Sequence, residues 1–386
     1  MSYGRFRIRT HVPTGGRFAK LPTFRELLFD EAPSREVESK SHGTTLLDTN
    51  VVRNTRDLWL NGFGRQEASI ECRLGNLILG SEPGLGEVVA LYGAAERAWK
   101  RRTRELNARE FFEHVLACSD LFGNRALAIE VFTRGRVPGK EPRAPTVLDQ
   151  MVAGGDLLFH DFVEGFVSTQ VEPRYCVLLK IHEALISSRD QNAALSFIDY
   201  CADVIDFAPG LELVLGVTLL APSTMLTQHG KAVRKVAGVV VKPGNNNPHR
   251  AAWGAAWDLT FVRVRKCLDF LTHGFNIPCK PPFRIVTAEG AIAAIHDSFK
   301  FGPTMNDVLG ITAVAPSAEP GILYTDDRLM AAGSKLSNRF DNLIYERMVT
   351  KLSRLNPDES QARERINAEI VRFGNVFPER DIQQYR

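Results

Sequence analysis

Thr45-Leu46-Leu47-Asp48-Thr49-Asn50-Val51-Val52 interrupts an apolar, strand-prone run with an acid and two small polar residues. A carboxylate placed in a buried strand is costly unless partners are supplied. The stretch is therefore expected to be a buried strand that ends at Asp48, and the spacing over Arg53 to Leu60 predicts a helix starting at the strand's end. An acid at such a corner stands where ligands bind in a parallel α/β sheet.

Working outward, Asn76-Leu77-Ile78-Leu79-Gly80 reads as a second strand. Ser81-Glu82-Pro83 opens a helix with a capping residue and an early proline, and that helix is expected to carry Glu87 and run toward Arg104. Further strands are expected at Val236 to Lys242, Phe283 to Thr287 and Gly321 to Thr325, the last leading into Asp326-Asp327-Arg328. His249 to Phe270 reads as a long amphipathic helix bearing Trp253, Trp257 and Asp258. Between them, residues 110–122, 146–166, 174–188 and 192–207 repeat apolar residues at helical spacing. Four regions follow: an arm over 1–43 with one short helix at Phe24 to Phe29, an α/β core over 44–104 and 236–345, a helical insertion over 105–235, and a helical tail over 346–386.

A chain of 386 residues with 44% hydrophobic and 24% charged content has the make-up of a globular protein with a large core. The net charge of +3 names no partner. The six cysteines form no CxxC pair, which argues against a zinc site or a disulfide framework and for reduced core thiols. No long apolar run and no signal-type apolar segment occur, so a cytoplasmic protein with no membrane contact is expected. A P-loop, a dinucleotide fingerprint and a nucleophile elbow are all missing from the sequence. Arg97, Lys100, Arg101, Arg102 and Arg104 crowd one stretch, read as a helix, that is either a solvated face or a phosphate contact.

Asp48, Glu87 and Asp327 thus fall at strand ends or early in a helix, and Asp258 lies in an otherwise apolar and aromatic helix. Converging carboxylates repel one another unless a divalent ion holds them ionised. Mg²⁺ or Mn²⁺ suits an all-oxygen set and can activate water against a phosphodiester. Asp326 is an alternative to Asp327, and Glu82, Glu96, Glu110 and Glu164 are alternatives to Glu87, each with the plainer role of a solvated helix residue. His229 and His249 read as surface histidines, and Trp253 with Trp257 as core.

Leu46-Leu47-Asp48-Thr49-Asn50-Val51 resembles the opening motif of PIN-domain nucleases, and Thr325-Asp326-Asp327-Arg328 is similar to their late Thr-x-Asp-Arg motif. The resemblance implies a PIN-like, doubly wound α/β fold with a mainly parallel sheet, here with a large helical insertion. It also implies a Mg²⁺- or Mn²⁺-dependent endoribonuclease. Asp48, Glu87, Asp258 and Asp327 would be catalytic and metal-ligating, supported by Thr49, Asn50, Thr325 and Asp326. RNA is the implied substrate, DNA the lesser choice. A toxin or phage-defence role follows by association, with an inhibitor protein or a second copy as further partners. Two rivals are a non-catalytic interaction protein on the same scaffold and a metal-dependent small-molecule phosphatase.

Overall fold

The computed structural model describes residues 8–10, 25–29, 44–66, 68–79, 87–187, 191–205, 210–262, 283–287, 292, 295, 323–332 and 358–378. The strands described are β1 (Ile8–Thr10), β2 (Arg25–Phe29), β3 (Thr44–Leu47), β4 (Glu87–Val89), β5 (Trp99–Lys100), β6 (Glu105–Leu106) and β7 (Phe283–Thr287). Five of them form one sheet in the order β1-β2-β7-β3-β4, and β5 with β6 form a separate hairpin. Every residue of β3 is fully buried, as expected of a strand covered on both faces. It pairs in parallel with β4 and β7, while β2 runs antiparallel to both β7 and β1. The fold is mixed α/β, and the sheet is mixed rather than mainly parallel.

The helices with described bounds are α1 (Thr49–Asn61), α2 (Ala68–Leu79), α3 (Leu91–Ala98), α4 (Ala108–Gly123), α5 (Arg125–Arg134), α6 (Arg143–Phe166), α7 (Glu172–Ser187), α8 (Gln191–Asp199), α9 (Gly210–Leu220), α10 (Gln228–Val241), α11 (Pro248–Phe261) and α12 (Asp358–Val376). Local chemistry marks several starts. Asn107 caps α4 by accepting from the Glu110 N–H, Thr227 caps α10 through the Gly230 N–H, and Asn247 with Pro248 opens α11. Short π-helical turns, Val167–Val171 and Tyr200–Ile205, precede α7 and follow α8. Among the described helices none is long and apolar enough to cross a membrane.

The chain divides into two compact units. The first comprises Met1–Gly165 and Val264–Ala293, the second Phe166–Arg263 and Ala294–Arg386. The large sheet lies in the first unit, where α4 packs on α1 and α3. In the second unit α7 packs against α9, α11 and α12 around buried Trp257, Phe197, Tyr175 and Phe373. The segment 105–235 is therefore not one insertion: its helices up to Gly165 complete the sheet-bearing unit, and the rest build the second.

Several local expectations are corrected. Asn76 to Leu79 belongs to α2, and Val236 to Val241 to α10, because a short apolar run fits a buried helix as well as a strand. Glu87 opens a strand instead of lying in a helix, and the helix after it, α3, ends at Ala98. Arg25 to Phe29 is a strand held by pairing to β7. At 321–325 the described residues offer only an isolated bridge between Leu226 and Tyr324. The helical opening at Ser81-Glu82-Pro83, the end of the 249–270 helix beyond Val262 and the helix expected over 341–354 lie outside the described residues.

Candidate functional site

Asp48 ends β3 and caps α1. Its backbone N–H donates to the Val286 carbonyl of β7 at 3.0 Å. Its Oδ1 accepts from the Thr49 N–H at 2.7 Å, which is the N-cap bond of α1. Its Oδ2 accepts from the Thr287 hydroxyl at 2.7 Å. Asp48 is 3% exposed and Thr287 is fully buried, and the bond between them lets the end of the neighbouring parallel strand orient the acid. The buried acid flagged by the sequence is thus supplied with partners, as its burial demands.

A second carboxylate reaches the same corner. The Thr49 hydroxyl donates to Glu96 Oε2 in a short hydrogen bond, so Asp48 and Glu96 both touch Thr49. Glu96 comes from α3, whose approach depends on Gly93, three residues earlier on the same helix face. A Cβ on Gly93 would stand 2.9 Å from Val52 Cγ2 and 3.0 Å from both the Leu47 carbonyl oxygen and the Thr49 nitrogen. Only a residue without a side chain lets α3 lie this close to the strand-to-helix corner.

Glu87 stands elsewhere. The parallel register sets it opposite Thr44, at the amino end of the strands, whereas Asp48 follows the carboxyl end of β3. Four residues of strand separate the two levels, about 13 Å at the usual rise. The register thus separates the two backbone positions along the strand direction. The glutamate at the corner is Glu96, an alternative to Glu87 in the sequence.

Asp258, Asp326 and Asp327 belong to the second unit. Asp258 is half-buried on α11, beside the core-facing Trp257. Asp326 caps the helical residues 327–332, its Oδ1 accepting from the Arg328 and Leu329 N–H groups at 3.0 Å each. Asp327 is exposed in the first turn of that helix, and Thr325 is exposed with its hydroxyl donating to the Thr224 carbonyl at 3.3 Å. The Thr-x-Asp-Arg segment therefore does not end a sheet strand. The strand beside β3 ends instead in Thr287, and the sequence continues Ala288-Glu289, the same Thr-x-acid spacing; Glu289 lies outside the described residues. Asn50 is half-buried in the first turn of α1.

The basic cluster is not on a helix beyond Arg97. Lys100 lies in β5, and Arg101, Arg102 and Arg104 occupy the four-residue turn between β5 and β6. His249, read as a surface residue, is 3% exposed, accepts from the Tyr175 hydroxyl at Nδ1 and donates from Nε2 to the Phe377 carbonyl at 2.8 Å. His160, Asp161 and Glu164 on α6 bring ligand atoms within 4.8 Å of one another at the surface.

Thr287 and Glu96 join this corner on weaker signals in the sequence. A hydroxyl ending the apolar strand Phe-Arg-Ile-Val-Thr was the available signal for Thr287. For Glu96 it was the Gly-Ala-Ala run just before it, small residues that permit close helix packing. No family model matches this chain, and neither a curated protein nor a solved structure matches it.

Proposed function

We propose that the Asp48 corner of the first unit holds a divalent cation and that the protein is a metal-dependent endonuclease acting on RNA. The observation that supports this reading is the meeting of two carboxylates, Asp48 and Glu96, on Thr49 at the carboxyl end of the central parallel strand. That position is the ligand-binding edge of an open α/β sheet. The donor set is all oxygen, which suits Mg²⁺ or Mn²⁺ and not a soft metal. The bonds from the Thr49 N–H and the Thr287 hydroxyl orient the Asp48 carboxylate.

In this account Asp48 is the fixed ligand, held by Thr287 and by the first turn of α1. Glu96 is the second, steered by Thr49 and by the close seat of α3 at Gly93. A bound ion would activate water and stabilise the developing charge on a phosphodiester. The chain's own contribution is orientation: rigid strand and helix ends hold the acids, and no side-chain nucleophile is required. A PIN-like core is the finer fold proposed with this activity, on the resemblance of residues 46–51.

One observation favours a second reading. Asp48 is the N-cap of α1, a role that needs no chemistry, and a non-catalytic interaction protein would use it that way. A cleavage assay separates the two. Wild type should cut single-stranded RNA with Mg²⁺ or Mn²⁺ and not in EDTA, and Asp48→Asn and Glu96→Gln should each lose most of that rate. Cleavage by Asp48→Asn at the wild-type rate, or none by wild type with either ion, overturns the nuclease. Hydrolysis of a small aryl phosphate in place of RNA moves the assignment to a phosphatase.

A further inference from the structure

We propose that the β5–β6 hairpin is a docking surface for the sugar–phosphate backbone of a nucleic-acid strand. Its tip, Arg101-Arg102-Thr103-Arg104, puts three guanidinium groups into four consecutive residues, with Lys100 before it and exposed Arg97 at the end of α3. Guanidinium stays charged at any physiological pH and forks onto two oxygens of one phosphate, which suits it to a regularly spaced polyanion.

The tip is built on a fixed base. Trp99 and Leu106 pair across the two strands, and both are buried. The Arg104 N–H closes the turn on the Lys100 carbonyl at 2.8 Å, and the Asn107 N–H donates to the Ala98 carbonyl at 2.9 Å. Lys100 Nζ lies 2.6 Å from Glu110 Oε2, which ties the strand to α4. Arg104 adopts φ of +56°, the left-handed conformation that lets so short a loop reverse. A surface ordered before binding loses little entropy on binding.

Placement names the partner. Arg101 is five residues from Glu96, so its backbone lies within about 18 Å of the backbone of that residue, which shares Thr49 with Asp48. That span covers on the order of five phosphates of a strand. The placement rests on the phosphodiester chemistry proposed for Asp48, whereas the test needs no cleavage.

The test is equilibrium binding of a short labelled single-stranded RNA, and of the matching DNA, to the full chain in EDTA across a salt series. Replacing Arg101, Arg102 and Arg104 together by Ala should weaken binding roughly tenfold at low salt and reduce the slope of log K against log salt by about two. Replacing the same three by Lys should restore the slope, since lysine keeps the charge. RNA preferred to DNA, or the two bound alike, supports the surface equally, the slope being the readout. Wild-type affinity and slope in the alanine variant overturn it, as do absence of binding by wild type or equal competition by polyglutamate. Hairpin-dependent binding with undiminished cleavage by Asp48→Asn counts against the catalytic site alone.

Discussion

The Thr287 hydroxyl donates to Asp48 Oδ2 at 2.7 Å, across 239 positions of sequence, and both residues are buried. The bond ties the end of β7 to the start of α1. Thr287→Val keeps the shape and removes only the donor. A hydrogen bond to a charged group is worth about 2 kcal/mol, and urea denaturation should show a loss of that size. Cleavage by the variant should fall as well, because Asp48 loses its orienting partner.

Gly93 makes a steric prediction. A Cβ at this position meets backbone atoms of Leu47 and Thr49 at 3.0 Å, and neither belongs to a flexible side chain that can swing aside. Gly93→Ala should therefore displace α3, costing about 1–3 kcal/mol in a denaturation experiment. It should reduce activity more than stability alone explains, because Glu96 rides on the same helix.

Glu71 is 2% exposed, and its Oε1 accepts from the N–H groups of Gly64, Arg65 and Gln66 at 2.8, 3.1 and 3.0 Å. It organises the turn between α1 and α2. Glu71→Ala orphans three donors and should destabilise the first unit by about 3 kcal/mol. Glu71→Gln keeps an oxygen acceptor and should lose less, as read by chemical denaturation of both variants.

Acid should weaken the second unit through His182. Burial lowers its pKa from 6.5 to about 4, opposed by a hydrogen bond with the Val241 backbone. An unfolded histidine gains its proton as pH falls through about 6.5, whereas the folded one resists until about 4. Stability is therefore present above pH 6.5 and is lost progressively down to about 4, by on the order of 3 kcal/mol. Thermal melts over that range should show the decline, and His182→Gln should flatten it. In the first unit burial also lowers the pKa of His114, so its contribution has the same sign.

The sequence was legible where one rule dominated. Helical spacing located α4, α6, α7 and α8, and the acid inside an apolar run located the corner at Asp48. Phe283 to Thr287 was legible as a strand, but its partnership with β3 was not, since parallel pairing joins residues more than 200 positions apart. Residues 76–79 and 236–241 read as strands because so short an apolar run fits either period. The Thr-x-Asp-Arg segment carried the right residue types, yet residue types do not reveal whether a strand precedes them; here Asp326 caps a helix. Glu87 and Glu96 were separable only by register and helix packing, both of which are non-local.

Calorimetric titration of Mn²⁺ into the full chain, in parallel with Asp48→Asn, Glu96→Gln and Glu87→Gln, tests the central assignment most directly. Wild type and Glu87→Gln should bind the ion alike, while Asp48→Asn and Glu96→Gln should each bind it at least roughly tenfold more weakly, about 1.4 kcal/mol. Undiminished binding by Asp48→Asn and Glu96→Gln would contradict the account, as would a loss confined to Glu87→Gln.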